Sequence, residues 1–335
     1  MDIKCLNGFQ KELKISFFKF PIPWEWWSGL ILLAFKKEYK VFLITPETYA
    51  LNQWIFMLLC LFLNKKVYTW EHGILTKNIS NKAVALLKTY NSLHKGSFLY
   101  GNRAKKIMTD LGINPNKLFV VYNSLNYDES FSLRKSLTDS NQYAKFYSDY
   151  FKNNDPVVLF IGRLTKQKKI HLLIEAHKLL SDKGINVNVV IIGDGDKKND
   201  LVKTVSGFGL KEKYMFCGEI YEEKQIAQLL YNATICVSPG NVGLTAIHAF
   251  SYGLPVITNN NFDTQMPEYE IIIENENGLF FNEDDSVSLA NAIEIWLKQS
   301  QEREKIRLSC YAQIDNYYNH NSQINRLKDI LKKDL

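Results

Sequence analysis

Two patterns alternate along the chain: short runs of β-branched and aromatic residues, and segments with apolar residues three and four apart. The first predicts buried strands and the second predicts helices packed on them. In order the pattern predicts a strand over 14–20, an aromatic-rich helix over 24–35, a strand over 40–45, a helix over 51–63, and a strand over 66–70 that runs into Glu71-His72-Gly73. A helix over 80–93, a strand over 96–100, a helix over 102–111 and a strand over 117–122 follow. Residues 126–154 are polar and without period, which predicts a linker containing a short helix. From residue 155 a second set begins: the runs PVVLFIGRL, VNVVIIGDGD and YMFCGEI alternate with helices over 170–180, about 200–208 and 222–231. The stretch 234–259, the run GLFF, a helix over 286–299 and a terminal helical region over 301–333 complete it. The expectation is two α/β domains with mostly parallel sheets: 1–135, a linker 136–154, 155–310, and a terminal helix over 311–335 crossing back to the first domain.

The stretch TICVSPGNVGLTAIHAFSYGLPVITN (234–259) reads as strand, glycine loop, helix and strand. A glycine loop feeding a helix leaves the first helical amides unpaired, which suits an anion such as phosphate. Arg163 and Lys168, five apart after the first strand of the second set, form a candidate cationic clamp for a diphosphate. Asp194 and Asp196 in GDGD mimic a metal-binding DxD but occupy an ordinary turn position, so no metal and no cofactor is expected. His94, His171, His177 and His320 show no ligand spacing and read as surface residues.

At 335 residues, 46% apolar and 23% charged, the chain is globular and large enough for two cores. Cys5, Cys60, Cys217, Cys236 and Cys310 are odd in number and scattered, which argues against a disulfide framework and a thiolate metal site. Residues 1–135 hold 19 Lys and Arg against 9 Asp and Glu, leaving 22 against 26 beyond. That excess points to an anionic lipid surface or a phosphorylated acceptor, with Trp24, Trp26 and Trp27 as candidate interfacial anchors. No nucleic-acid-binding signature accompanies it. No signal-peptide pattern is visible, and the apolar runs 26–35 and 54–63 fall short of the roughly 20 residues a spanning helix needs, so a cytoplasmic protein, peripheral on the inner membrane face, is expected.

VVLFIGRLTKQKK, VVIIGDGDKKNDL, MFCGEI, the glycine loop, PVITN and ENGLFF together resemble, in order, the nucleotide-sugar-binding half of family-four retaining glycosyltransferases of the GT-B fold. The resemblance implies two Rossmann-like doubly wound domains facing a cleft, and transfer of a sugar from a UDP- or GDP-linked donor to a glycan or polyprenyl-diphosphate-linked acceptor. The setting it suggests is bacterial surface polysaccharide synthesis. It implies that Arg163 and Lys168 hold the diphosphate, that the amides of Gly243, Leu244 and Thr245 cap it, that Glu219, Ile220 and Tyr221 meet the base, and that Gly162, Asn241 and Val242 also belong to the donor site. His72 would face the transferred sugar, and the leaving diphosphate would help take the acceptor's proton. The family's two glutamates, eight apart, are replaced by Gly240 and His248. A neutral imidazole at 248 can accept from a ribose hydroxyl, or the histidine faces the core. Two other readings stay open: a GT-B nucleotide-sugar epimerase or phosphorylase, and a non-catalytic nucleotide-binding subunit of a transferase.

Overall fold

The computed structural model describes residues 13–18, 24–138, 146–299 and 302–332. The chain divides into two compact units, Met1–Val121 with Leu327–Leu335, and Tyr122–Arg326. In the first unit β1 (Ile15–Phe18) pairs antiparallel with β2 (Trp24–Trp27), and one helical turn, α1 (Leu30–Leu33), follows. The helix expected over 24–35 is therefore mostly a strand. WEWW is built of strongly β-forming side chains, Phe18 stacks on Trp24 at 4.0 Å, and Gly29 at φ 89° breaks the chain before α1.

Next come β3 (Val41–Ile44), α2 (Leu51–Phe62), β4 (Lys66–Glu71), α3 (Asn81–Ser92), β5 (Gly96–Leu99), α4 (Asn102–Asp110) and β6 (Leu118–Val120). The four strands β3 to β6 form a parallel sheet in chain order. Phe56, Met57 and Cys60 of α2 pack with Val67 and Tyr90 on one face, while Tyr68, Phe98 and Val121 face the other way. Burial raises the Glu71 carboxyl at the end of β4 above its ordinary value, although the Thr69 hydroxyl donates to it at 2.8 Å.

The second unit holds α5 (Tyr127–Thr138), α6 (Ser148–Phe151), β7 (Val157–Ile161), α7 (His171–Asp182), β8 (Asn188–Ile192), α8 (Lys198–Gly207), β9 (Tyr214–Gly218), α9 (Glu223–Asn232) and β10 (Ile235–Ser238). It continues with α10 (Leu244–Ser251), β11 (Val256–Asn259), β12 (Gly278–Phe281), α11 (Ser286–Gln299), α12 (Arg303–Asn316) and the start of α13 (His320–Leu331). Its six parallel strands stand in the order β12-β11-β10-β7-β8-β9. The chain thus walks outward from β7 to β9, returns, and walks the other way from β10, so the order reverses between β7 and β10. Both faces of β7 are buried, with Val157 and Leu159 on one side and Val158 and Phe160 on the other, which is why VVLFI reads as continuous rather than alternating.

Three expected boundaries shift. The chain divides at Val121 rather than near residue 135, because Leu133 and Leu137 of α5 join the second unit's core and Arg134 pairs with Asp315 at 2.6 Å. The described part of the expected linker also packs there: Tyr147 and Phe151 are buried, and the Tyr147 hydroxyl donates to the Leu229 carbonyl at 2.7 Å. The terminal region is two helices, and α12 stays in the second unit because the buried Arg307 stacks on Tyr231 and donates to the Tyr252 and Tyr231 carbonyls. Only from Leu327 does α13 join the first unit, with Leu327, Ile330 and Leu331 against the face that carries Tyr68 and Phe98.

Candidate functional site

In an open parallel sheet the loops that leave the carboxyl ends of the two strands at the reversal splay apart and leave a crevice. Here those loops are 162–170 after β7 and 239–243 after β10. They are stitched together: Lys168 Nζ donates to the Asn241 carbonyl at 2.7 Å and to Asn241 Oδ1 at 2.9 Å, and the Gly240 amide donates to the Lys168 carbonyl at 3.1 Å. An ammonium has three N–H donors, so one remains for an anion. Burial pulls the Lys168 pKa below its ordinary value. Lys169, in the left-handed region at φ 50°, anchors the first loop through ion pairs at 2.8 Å to Glu283 and Asp284. The Arg163 side chain is exposed.

The second loop ends at Gly243, φ 51° and ψ −144°, where α10 starts with no side-chain cap. Its first amides and the positive end of its dipole therefore open toward whatever occupies the crevice. Thr245 Oγ1 donates to the Ile161 carbonyl at 3.3 Å, tying this turn to the end of β7. Val242, expected among the donor-binding residues, is fully buried and its amide donates to Gln265 Oε1 at 2.8 Å. Gln265 in turn donates to Thr258 Oγ1 and the Asn259 carbonyl, so it braces the loop from beneath. Nothing in the sequence marks Gln265 out for this. A Cβ on Gly240 would stand 2.2 Å from the Gln167 carbonyl oxygen and 2.8 Å from Lys168 Cα, so the close approach of the loops leaves no room for a side chain at this position.

His248 lies on α10 with its Nε2 2.9 Å from Glu223 Oε1, and the Tyr252 hydroxyl donates to the same oxygen. Burial alone would raise the Glu223 carboxyl, but the His248 ring and the Tyr252 hydroxyl hold it below its ordinary value. His248 is thus half-buried in a carboxylate pair, and a ring nitrogen expected to meet a ligand directly is already engaged. Sequence reasoning missed Glu223. Its signal was the spacing of His248 and Tyr252, four apart at the end of α10, where both present a polar group to one side.

Loop-to-loop contact also explains GDGD. Gly162 at φ 150° and Gly193 at φ 132° meet backbone to backbone, where a Cβ on Gly193 would fall 2.0 Å from the Gly162 carbonyl oxygen. Asp194 accepts from Gly195 N and pairs with Lys198 at 2.6 Å, and among the described residues no three ligating side chains form a metal cluster. At the end of β9, Gly218 at φ 71° turns the chain into Glu219 and Tyr221, which are exposed and joined by a hydrogen bond, while Ile220 packs on the core. His72, in the first unit, is exposed just beyond β4 with its ring 4.8 Å from that of Tyr100. His94 and His177 are not surface residues: both are buried, and desolvation pushes each down to about 4. His177 Nδ1 lies 3.2 Å from the Tyr214 hydroxyl, which supplies its partner. Cys60, Cys217, Cys236 and Cys310 are free thiols, and Cys5 lies outside the described residues.

Residues 145–312, half of the chain, match the family Glycosyl transferases group 1. A 41.2 kDa protein in the cps region of Klebsiella pneumoniae is 26% identical over 258 residues, which cover 75% of this chain and 60% of that one. The capsular polysaccharide biosynthesis glycosyltransferase CapM of Staphylococcus aureus is 24% identical over 222 residues, 64% of this chain and 54% of CapM. The chain therefore spans less than two thirds of the length of either relative. The crystal structure of Anabaena HepE in complex with UDP superposes with a TM-score of 0.68 over 91% of this chain and 82% of that one at 16% identity, a likeness of fold. With the matched region taking in both strands at the reversal and every loop described around it, the chain belongs to the Glycosyl transferases group 1 family.

Proposed function

We propose that this protein transfers a sugar from a nucleotide-sugar donor to a glycan or polyprenyl-diphosphate-linked acceptor in bacterial surface polysaccharide synthesis, with retention and without a metal. The observation that carries the donor half is the pairing of a reversed strand order with an uncapped helix start. Between β7 and β10 the loop bearing Arg163 and Lys168 is bonded to the loop that opens α10. A diphosphate there meets the free Lys168 donor, the Arg163 guanidinium and the amides of Gly243, Leu244 and Thr245. Glu219, Ile220 and Tyr221 meet the base, and the Glu223–His248 pair serves the ribose. The UDP in the HepE crystals and the capsular role of CapM support the donor class and the setting.

Chemistry follows from where charge develops. As the glycosidic bond to the diphosphate breaks, negative charge grows on the leaving oxygens, and fixed cations and amides stabilise it most at that moment. Those same oxygens accept the acceptor hydroxyl's proton on the face the sugar leaves, and the hydroxyl oxygen bonds the anomeric carbon. His72, in the first unit, is assigned to the transferred sugar. The test is a titration with UDP, GDP, CMP and dTDP and their sugars, followed by assay of nucleotide release with lipid-linked acceptors. Binding of UDP or GDP with acceptor-dependent release is expected; no binding of any of the four ends the proposal.

A further inference from the structure

Helix α2 has two apolar faces. Phe56, Met57 and Cys60 point into the first unit's core, while Leu51, Ile55, Leu58 and Phe62 form a stripe on the opposite side at helical spacing. The stripe is open: 48%, 43%, 43% and 86% of these residues' surface is exposed. An amphipathic surface helix of a soluble domain carries polar residues on that side, yet residues 51–63 contain no charged residue at all. Beside α2 packs α1, which together with the turn after it adds exposed Leu32 and Phe35. At about 18 Å α2 is far too short to cross a bilayer but long enough to lie along its surface.

The charge at its carboxyl end says what covers it. Lys37, Lys40, Lys65 and Lys66 line a cavity of about 700 Å³ between the ends of α1 and α2, and Lys36, next to Lys37 in the chain, lies 3.9 Å from Glu38. The Lys65 ammonium donates to the Lys36 carbonyl, which holds the two ends together. Five cations beside an uncharged apolar stripe repel a second copy of the same patch and suit a surface that is apolar inside and anionic at its rim.

We propose that α2 and the lysine cluster dock the first unit onto an anionic phospholipid bilayer, the stripe entering the headgroup boundary and the lysines meeting phosphates. The anchors are not the tryptophans: Trp24, Trp26 and Trp27 are half-buried in β2, and the Trp27 indole donates to Glu25 at 2.9 Å. This docking gives a reason for a lipid-linked acceptor in the proposed function, but it stands on first-unit residues alone and is read without donor or acceptor.

The test is flotation of the whole chain with vesicles of phosphatidylcholine alone and with about 30% phosphatidylglycerol, at low and about 0.5 M salt. Wild type is expected to float with the anionic vesicles at low salt and to be released by salt. Leu58→Ser/Phe62→Ser and, separately, Lys37→Glu/Lys40→Glu should each lower the bound fraction at least about tenfold. Leu308→Ser, exposed on α12, should not. All five positions are exposed, and an unchanged unfolding midpoint confirms that each variant folds. Equal flotation with neutral and anionic vesicles, or flotation that neither double variant weakens, overturns the proposal. So does a wild-type dimer that Leu58→Ser/Phe62→Ser dissociates while lipid binding is absent, which would make the stripe a self-association face.

Discussion

Adding one carbon at Gly240 tests the geometry on which the donor site rests. In Gly240→Ala the new Cβ would lie 2.2 Å from the Gln167 carbonyl oxygen and 2.8 and 3.0 Å from Lys168 Cα and C. These are backbone atoms that no rotamer change can move aside, and van der Waals contact demands a retreat of about 1 Å. The two loops must part. The Gly240–Lys168 backbone bond, 3.1 Å long, is then lost at about 1 kcal/mol, and overpacking adds about 1–3 kcal/mol. A total near 2–4 kcal/mol corresponds to about 5–15 °C in the unfolding midpoint. Because the parting also moves Lys168 relative to the start of α10, affinity for UDP should fall at least about tenfold. Gly207→Ala is the control: a Cβ there meets nothing within 4 Å, so a neutral or slightly stabilising effect is expected. Calorimetric unfolding and UDP titration on the three proteins read both quantities. A Gly240→Ala protein within about 0.5 kcal/mol and twofold of wild type would show that the loops do not meet as described.

Four further outcomes are expected. Arg163→Ala should leave stability unchanged and cut transfer about 100- to 1000-fold, whereas Lys168→Ala should lower both, since Lys168 also ties the loops; turnover of both within about threefold would mean the clamp lies elsewhere. The affinity ratio of UDP to 2′-deoxy-UDP should shrink in His248→Ala and also in Glu223→Gln, and a ratio unchanged in both would make the pair purely structural. Transfer should survive excess chelator, and activity restored only by magnesium or manganese would bring Asp194 and Asp196 back as ligands. Glu71 has a raised folded-state pKa, so it favours the native state below its unfolded value and that contribution is lost as pH rises through the folded value. Glu71→Gln should therefore raise the unfolding midpoint near neutral pH and leave it nearly unchanged around pH 4, as thermal unfolding across pH will show.

The sequence alone determined the six strands of the second unit and the helices between them. Continuous β-branched runs such as VVLFI suit strands buried on both faces, and glycines at 162, 193, 195 and 243 mark turns that a Cβ would block or strain, so local chemistry was enough to read strand, loop and helix. It also located the cations and the helix start, because both follow strands directly. Near the amino terminus the same reasoning failed: WEWW fits either a helix face or a strand, and its pairing with β1 decided. Strand order, too, was a tertiary outcome. Only the placement of β10 beside β7 brings Lys168 to Asn241 across 73 residues, and only the packing of α9 and α10 into one core brings Glu223 to His248 across 25. Periodicity reports which face of an element is apolar, not what that face meets. The exposed stripe of α2, as apolar as its buried side, could be told from core only once the sheet had taken the other face.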